Sequence, residues 1–345
     1  MAAAVDMKNL SNIFTTLVEN LQLVIDQLQD GESNRPDDPN FTLEAFWKRL
    51  ELVVKLISKE ATTLCMAFTD DELPNQQTCS RLVDLLEKAV LALVSAFYSL
   101  PKKCGLTLRK QVQVATIAII SGVQELVKVI RRDGNQGAQN QRRRTGSVWE
   151  LCDDVPKLPR DNCGAVLNVA QSTSGLIRDA LEELEEAMAD DREGMLGELE
   201  GVPNDGNLSC NEDTWSEADR RLLAPSVGLV KAARSCVKKC SAAVKSNGRC
   251  DSEAEVLQLD DMADQMRDLS PAVDDFVCSL YGPMDHTKVR QQAVTLSNTA
   301  KQLLNTCKHS HVTTEDDAGW LEFLNTALQH NLQKLSELME QTDTG

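Results

Sequence analysis

The chain has 345 residues, 36 of them basic and 53 acidic, so its formal net charge is −17. Hydrophobic residues make up 42%, which is enough for a buried core, excludes wholesale disorder and leaves room for two domains of ordinary size. Such acidity argues against coating a phosphate backbone, where Lys and Arg supply the attraction, and 4% aromatics argue against base-stacking platforms and a β-rich core.

Apolar residues recur at helical spacing almost everywhere. Leu10, Ile13, Leu17, Leu21, Val24 and Leu28 fall on one face of a first helix, because 3.6 residues make a turn. GESNRPDDPN (31–40) breaks it with a glycine and two prolines. A second helix carries Phe46, Leu50, Val53, Ile57, Ala61, Leu64 and Phe68. LPNQQ opens a third, with Pro74 in the first turn, which runs over Leu82, Leu86, Ala89, Leu93 and Phe97 and stops at Pro101. The fourth spans about Thr107 to Arg132. Residues 133–146, DGNQGAQNQRRRTG, read as a polar loop, after which Ser147 and Glu150 form a capping-box pattern for a short helix ending before Pro156.

PRDN (159–162) begins a long helix with Leu167, Ala170, Ser174, Ile177, Leu181, Leu184 and Met188 on one face. Periodicity then stops, and the Gly-, Asn- and acid-rich residues 191–213 read as a linker. Thr214 or Ser216 caps a helix to about Lys245, stopped by Asn247-Gly248. Ser252 and Glu255 make a capping box for a helix to Leu269, where Ser270-Pro271 either kinks it or caps a new one. Residues 285–308 and 315–341 supply two more, the last capped by Thr313 or Thr314. The expectation is all-α: two antiparallel helical bundles, residues 1–190 and 214–345, joined by the acidic linker 191–213. An early helix of such a pair can also pack with late ones, so the linker need not be the spatial boundary.

Eleven cysteines run from Cys65 to Cys307 without a Cys-x-x-Cys pair. The opening MAAAVDMKNL has neither a basic start nor an apolar core, and the stretch 89–101 falls short of the ~20 apolar residues of a spanning helix. These features predict a soluble, cytoplasmic and nuclear chain with reduced thiols and no membrane partner. No phosphate-cradling or zinc-protease motif occurs. Cys307-x-His309-x-His311 is the best metal-like spacing, but at a helix end imidazoles also serve to complement the dipole. Cys236 and Cys240 lie one turn apart beside Lys238 and Lys239, which would lower a thiol pKa unless they are core residues. No catalytic group, cofactor or metal is expected.

Three short features read as partner signals. Arg220-Arg221-Leu222-Leu223 fits the R-x-L-Φ form of peptides that dock on cyclins, yet falls inside a helix that would bury both leucines. Arg142-Arg143-Arg144-Thr145 resembles a basophilic kinase site at Thr145 and a nuclear-import patch. Ser270-Pro271 is the single [ST]-P pair, open to proline-directed phosphorylation or to a capping role. In the last helix Leu321, Leu328 and Leu335 recur at sevens, interrupted in the companion row by Asn331, either as a zipper or as a bundle face.

SKEATTLCMAF (58–68), LPKKCGLTLRK (100–110), PRDN (159–162), WSEADRRLLAPSVGLVKAARSCVKK (215–239), QLDDMADQMRDLSPAVDDFVCSLYGPM (258–284) and SHVT (310–313) resemble the cyclin-D-binding protein family, also called the cyclin-D-interacting proteins or GCIP. The resemblance covers the chain from about residue 43 onward. It implies a helical protein related to talin and vinculin bundles that binds D-type cyclins, lowers cyclin-dependent phosphorylation of retinoblastoma protein and restrains growth. Members also resemble helix-loop-helix proteins without a basic region, which implies sequestration of helix-loop-helix transcription factors and contact with signalling adaptors, but no direct nucleic acid. The competing class, by fold analogy, is a cytoskeletal or adhesion adaptor.

The charge is unevenly spread. Residues 179–219 hold 15 acidic side chains and one basic, or −14; residues 1–178 balance at 21 against 21, and 220–345 carry 14 basic against 17 acidic, or −3. Both helical halves are therefore nearly neutral and suited to protein partners.

Overall fold

The computed structural model describes the backbone of residues 2–30, 38–69, 73–199 and 215–343, and side chains of 10–30, 38–69, 73–192 and 215–341. The expected linker residues 200–214 lie outside the described residues, as does Thr214 as a cap. Among those described there are ten α-helices and no strand. The chain is all-α.

The chain divides into two compact units, Met1–Asp161 and Asn162–Gly345. The first holds α1 (Ala2–Asp30), α2 (Leu43–Thr69), α3 (Gln76–Tyr98), α4 (Leu106–Asp133) and α5 (Ala138–Asp154). Its helices close into a ring of neighbours: α1 meets α4, α4 meets α5, α5 meets α2, α2 meets α3 and α3 returns to α1. The inward stripe of α1 is Leu10, Phe14, Leu17, Leu21, Ile25 and Leu28, so Phe14 and Ile25 take the places expected for Ile13 and Val24. Phe14 meets Phe68 of α2 edge-on at 5.2 Å. Such edge-to-face pairs add to what burial alone contributes.

Three local expectations are corrected by the structure. Pro74 does not sit in the first turn of α3; Asn75 is the cap, its side chain accepting from the Thr78 N–H. Residues 133–146 are not a loop. Gly134, at φ +52°, turns the chain through a 3-10 turn (134–137), and α5 then runs unbroken through Arg142 to Asp154. Ser147 is therefore interior to α5, and its hydroxyl bonds back to the Arg143 carbonyl at 3.3 Å. Leu106–Lys157, which begins with α4, is among the described residues long and apolar enough, by length and composition alone, to cross a membrane; as folded, Leu108, Val112, Ile119, Val123 and Leu126 of α4 are core.

The second unit holds α6 (Asn162–Leu199), α7 (Glu217–Asn247), α8 (Glu253–Ser279), α9 (His286–Lys308) and α10 (Ala318–Asp343). Again each helix has two main neighbours, in the order α6, α8, α9, α10, α7 and back to α6, with α7 also touching α9. This moves the boundary from the expected 190 to 161/162. Of the face expected for α6, Ala170, Ile177, Leu181 and Leu184 are buried, while Val166 and Thr173 take the places expected for Leu167 and Ser174; this face packs on α7 and α8 rather than closing the first bundle. The expected linker start is also helical, since α6 continues to Leu199.

Capping follows the sequence closely in this unit. Ser216 with Asp219 and Ser252 with Glu255 form reciprocal boxes, and Thr314 does the same with Asp317 in a 3-10 turn before α10. Each box satisfies backbone N–H groups that a helix start leaves without partners. Ser270 caps nothing: α8 continues through Pro271, and Ser270 is buried.

Candidate functional site

The four residues of the expected docking motif diverge within the first two turns of α7. Leu222 is 0% exposed and Leu223 3%, both in the unit's hydrophobic core. The Arg220 guanidinium grips Asp191 of α6 with two hydrogen bonds, 2.7 and 3.0 Å, and this partner holds the Asp191 carboxyl below its ordinary range. Arg221 reaches Glu217 on its own helix at 2.8 Å and is solvent-exposed. A docking peptide must offer its leucine to a pocket in another protein; as folded, α7 offers only Arg221.

The two expected phosphorylation sites are also enclosed. Thr145 is 2% exposed, and its hydroxyl donates to the Gln141 carbonyl at 2.9 Å inside α5. Ser270 lies in the middle turns of α8. A kinase threads its acceptor through an extended segment, which neither position supplies while its helix is formed.

Chemistry-bearing side chains point to separate partners. Cys307 is buried against Thr313, at 3.5 Å; His309 Nδ1 bonds the Asn305 carbonyl; His311 Nδ1 donates to Gln258 Oε1 at 2.8 Å while its Nε2 accepts from the Arg249 N–H. Both His311 nitrogens are thus engaged, and among the described residues no three metal-ligating groups converge. Cys236 and Cys240 are core residues, and Lys238 and Lys239 do not activate them. Burial pushes Cys236 up to about 12, and Cys240 is raised by its thiol hydrogen bond to Cys307 with burial behind it. Thiols held protonated are poor nucleophiles.

The leucine row of α10 is a bundle face. Leu321, Leu324, Leu328, Leu335 and Met339 are buried against α7 and α9. Asn331 interrupts it for a reason invisible in the row itself. Gly228 of α7 lies opposite, so close that a Cβ there would stand 2.3 Å from Asn331 Oδ1. Glycine lets the backbone approach, and the Asn331 amide bonds the Ala327 carbonyl at 2.8 Å in the space left.

The strings that carry the resemblance prove to be places where elements are tied together. Arg109 of the 100–110 string donates to the Leu100 carbonyl and lies 5.0 Å over the Phe97 ring. In PRDN, Arg160 stacks at 4.8 Å over Trp47 and pairs with Glu51, while the fully buried Asn162 donates to Asp260 of α8 at 3.0 Å. Trp215 donates to the Leu280 carbonyl at 2.6 Å and stacks on Tyr281. The buried Asp219 accepts from His286 at 2.8 Å, and SHVT is held by Gln258 through His311 and by Asn247 through the Val312 carbonyl. Apart from the solvent-exposed Arg160–Glu51 pair, these are buried or half-buried polar ties, whose loss leaves unpaired groups and is correspondingly costly.

Large apolar side chains face solvent on several helices, Leu23 of α1 and Phe323 of α10 among them, and α2 and α5 carry a group that the periodicity did not flag. Leu52 (68% exposed), Leu56 and Met66 (63%) lie outside the inward stripe of α2, and Trp149 of α5 reaches across to bond the Thr62 hydroxyl at 2.9 Å. The only signal in the sequence is the excess of apolar positions in α2 beyond those one face can bury.

Comparison with known proteins agrees with these features. A family model described as Grap2 and cyclin-D-interacting, N-terminal, matches residues 49–190, and its C-terminal counterpart matches 169–305. The two meet on α6, the helix that the fold assigns to the second unit. The chain is 41% identical over 328 residues to Cyclin-D1-binding protein 1 homolog from Xenopus laevis, covering 94% of this chain and 97% of that protein. It is 39% identical to the Danio rerio homolog (91% and 92% covered) and 34% identical to Cyclin-D1-binding protein 1 of Homo sapiens (94% and 92%). With near-complete coverage of both chains and family matches across both units, the chain belongs to the Grap2 and cyclin-D-interacting protein family.

Proposed function

We propose that the chain is a non-enzymatic interaction protein that binds a D-type cyclin. By occupying the cyclin it lowers cyclin-dependent phosphorylation of retinoblastoma protein and restrains cell-cycle progression, acting in cytoplasm and nucleus. Sequestration of helix-loop-helix transcription factors follows the same logic of occupancy. The observation that carries this reading is the match along 94% of the chain to relatives named for binding cyclin D1. The exposed Leu52, Leu56 and Met66 on α2, within the region matched by the N-terminal family model, supply apolar surface for such a complex to bury.

Capture through Arg220 to Leu223 instead requires the first turns of α7 to open, exposing two core leucines. The two routes are separable because Arg221 is exposed and replaceable. Purified chain is mixed with a D-type cyclin, and in parallel with actin filaments, from one preparation. The expected result is cyclin capture without filament co-sedimentation, weakened by Leu52→Glu with Leu56→Glu and indifferent to Arg221→Ala. Filament binding without cyclin capture returns the adaptor reading.

A further inference from the structure

The cationic stretch that sequence alone treats as a loop has a different meaning once folded. Residues 128–144 contain six basic side chains and one acidic, 6 − 1 = +5, in a chain of net −17. The tight corner at 134–137 folds the end of α4 back beside the start of α5. Two arginine pairs from different helices, Arg131 and Arg132, Arg143 and Arg144, thereby line one cleft of about 370 Å³, with Lys128 and Asn140 beside them.

Existing interactions neutralise only part of this charge. Lys128 is held by Glu125 at 2.9 Å, and Arg132 is clasped by Asp133. Among the described residues Arg131 donates to the Thr15 hydroxyl alone, at 3.2 Å. Among the described residues no carboxylate meets Arg143 or Arg144. Counted over the described residues, five cations against two carboxylates, Glu125 and Asp133, leave +3 around one cavity. Arg131 and Arg132 have a structural reason to be there, because cations suit a helix C-terminus. Arg143 and Arg144 have none: they occupy the second turn of α5, where the helix dipole does not favour them.

The geometry points to a binding site for a compact polyphosphate, several phosphate monoesters on one small polyol, either free or as a lipid headgroup. Guanidinium forks grip phosphate oxygens two at a time, and two pairs from two helices surround a multiply charged group rather than one phosphate. The cavity falls within the range of small-ligand sites. Among the described residues Val129 is its only apolar side chain and no aromatic ring lines it, so these walls offer nothing to an acyl chain, a stacked base or the hydrophobic anchors of a peptide.

The test is calorimetric titration of the full chain with inositol hexakisphosphate, repeated with Arg143→Gln/Arg144→Gln. Lys238→Gln/Lys239→Gln, two exposed cations on α7, is the control for net charge. Binding is expected to weaken about tenfold or more in the first variant and to be unchanged in the control. Circular dichroism of each variant establishes that the fold is intact. A second arm uses phosphatidylcholine vesicles carrying about 5 mol% phosphatidylinositol bisphosphate, against phosphatidylserine vesicles of equal charge. Capture by the first vesicles alone assigns the headgroup as source, and binding of the soluble probe alone assigns a free ligand; both support the site. No binding, equal loss in the control, or equally tight binding of a phosphopeptide or single-stranded oligonucleotide overturns it.

Discussion

At Leu222 and Arg221 two adjacent residues of one motif have opposite fates. Leu222→Ala opens a cavity in the second unit's core and should cost about 2–5 kcal/mol in urea unfolding, whereas Arg221→Ala should stay within about 0.5 kcal/mol. Asp219 makes a second, pH-dependent prediction. Burial alone would raise its pKa, but hydrogen bonds from His286, the Ser216 hydroxyl and the Ser216 N–H outweigh burial and hold it below the ordinary carboxylate range. A lowered folded-state pKa contributes stability that is complete above the unfolded value of about 4 and is lost as pH falls through the depressed one. Asp219→Asn should therefore lose stability at pH 7 and show a smaller further loss on acidification than the parent, read from urea midpoints. Thiol alkylation gives a third check: exposed Cys278 should react promptly in the native state, while Cys236, Cys240 and Cys307 wait for unfolding. Ser216 was legible as a cap three residues away, but the His286 partner was not, because Asp219 and His286 are 67 residues apart.

Among the elements, the ones with apolar stripes were legible, whereas α5 was read only in its second half, from Ser147, and its first half was taken for loop. Its buried positions, Gln141, Thr145, Val148 and Cys152, keep helical spacing, but the first two are polar and Gln141 closes onto the Gly134 carbonyl. A pattern sought in apolar residues cannot see a helix that packs through amide and hydroxyl groups. Amide exchange should show protection across 141–152 comparable to α4, and Thr145→Glu should destabilise the first unit by about 2 kcal/mol or more by burying a charge. Asn331 was legible as an interruption but not as a fit, since its partner Gly228 is on another helix. Gly228→Ala should destabilise, and Asn331→Ala should remove much of that penalty in the double variant, a coupling that independent sites would not show.

For the whole molecule, two helical units were readable from periodicity and caps, while their boundary was not. The inward face of α6 was read to within a residue, but periodicity says which residues turn inward and not which bundle receives them. Asn162–Asp260 and Arg220–Asp191 supply the answer only in three dimensions. A site-specific protease sequence inserted between residues 203 and 208 should, once cut, leave fragments that co-migrate, because α6 stays packed on α7 and α8; separation into two folded pieces would restore the division at 190. The claim that this chain works by occupancy of a D-type cyclin is tested most directly by titrating purified cyclin into the full chain in a calorimeter. The expected result is a saturable heat that ends at one equivalent, with α7 still protected from amide exchange in the complex. No binding by a demonstrably folded chain at tens of micromolar, roughly −6 kcal/mol or weaker, would contradict it.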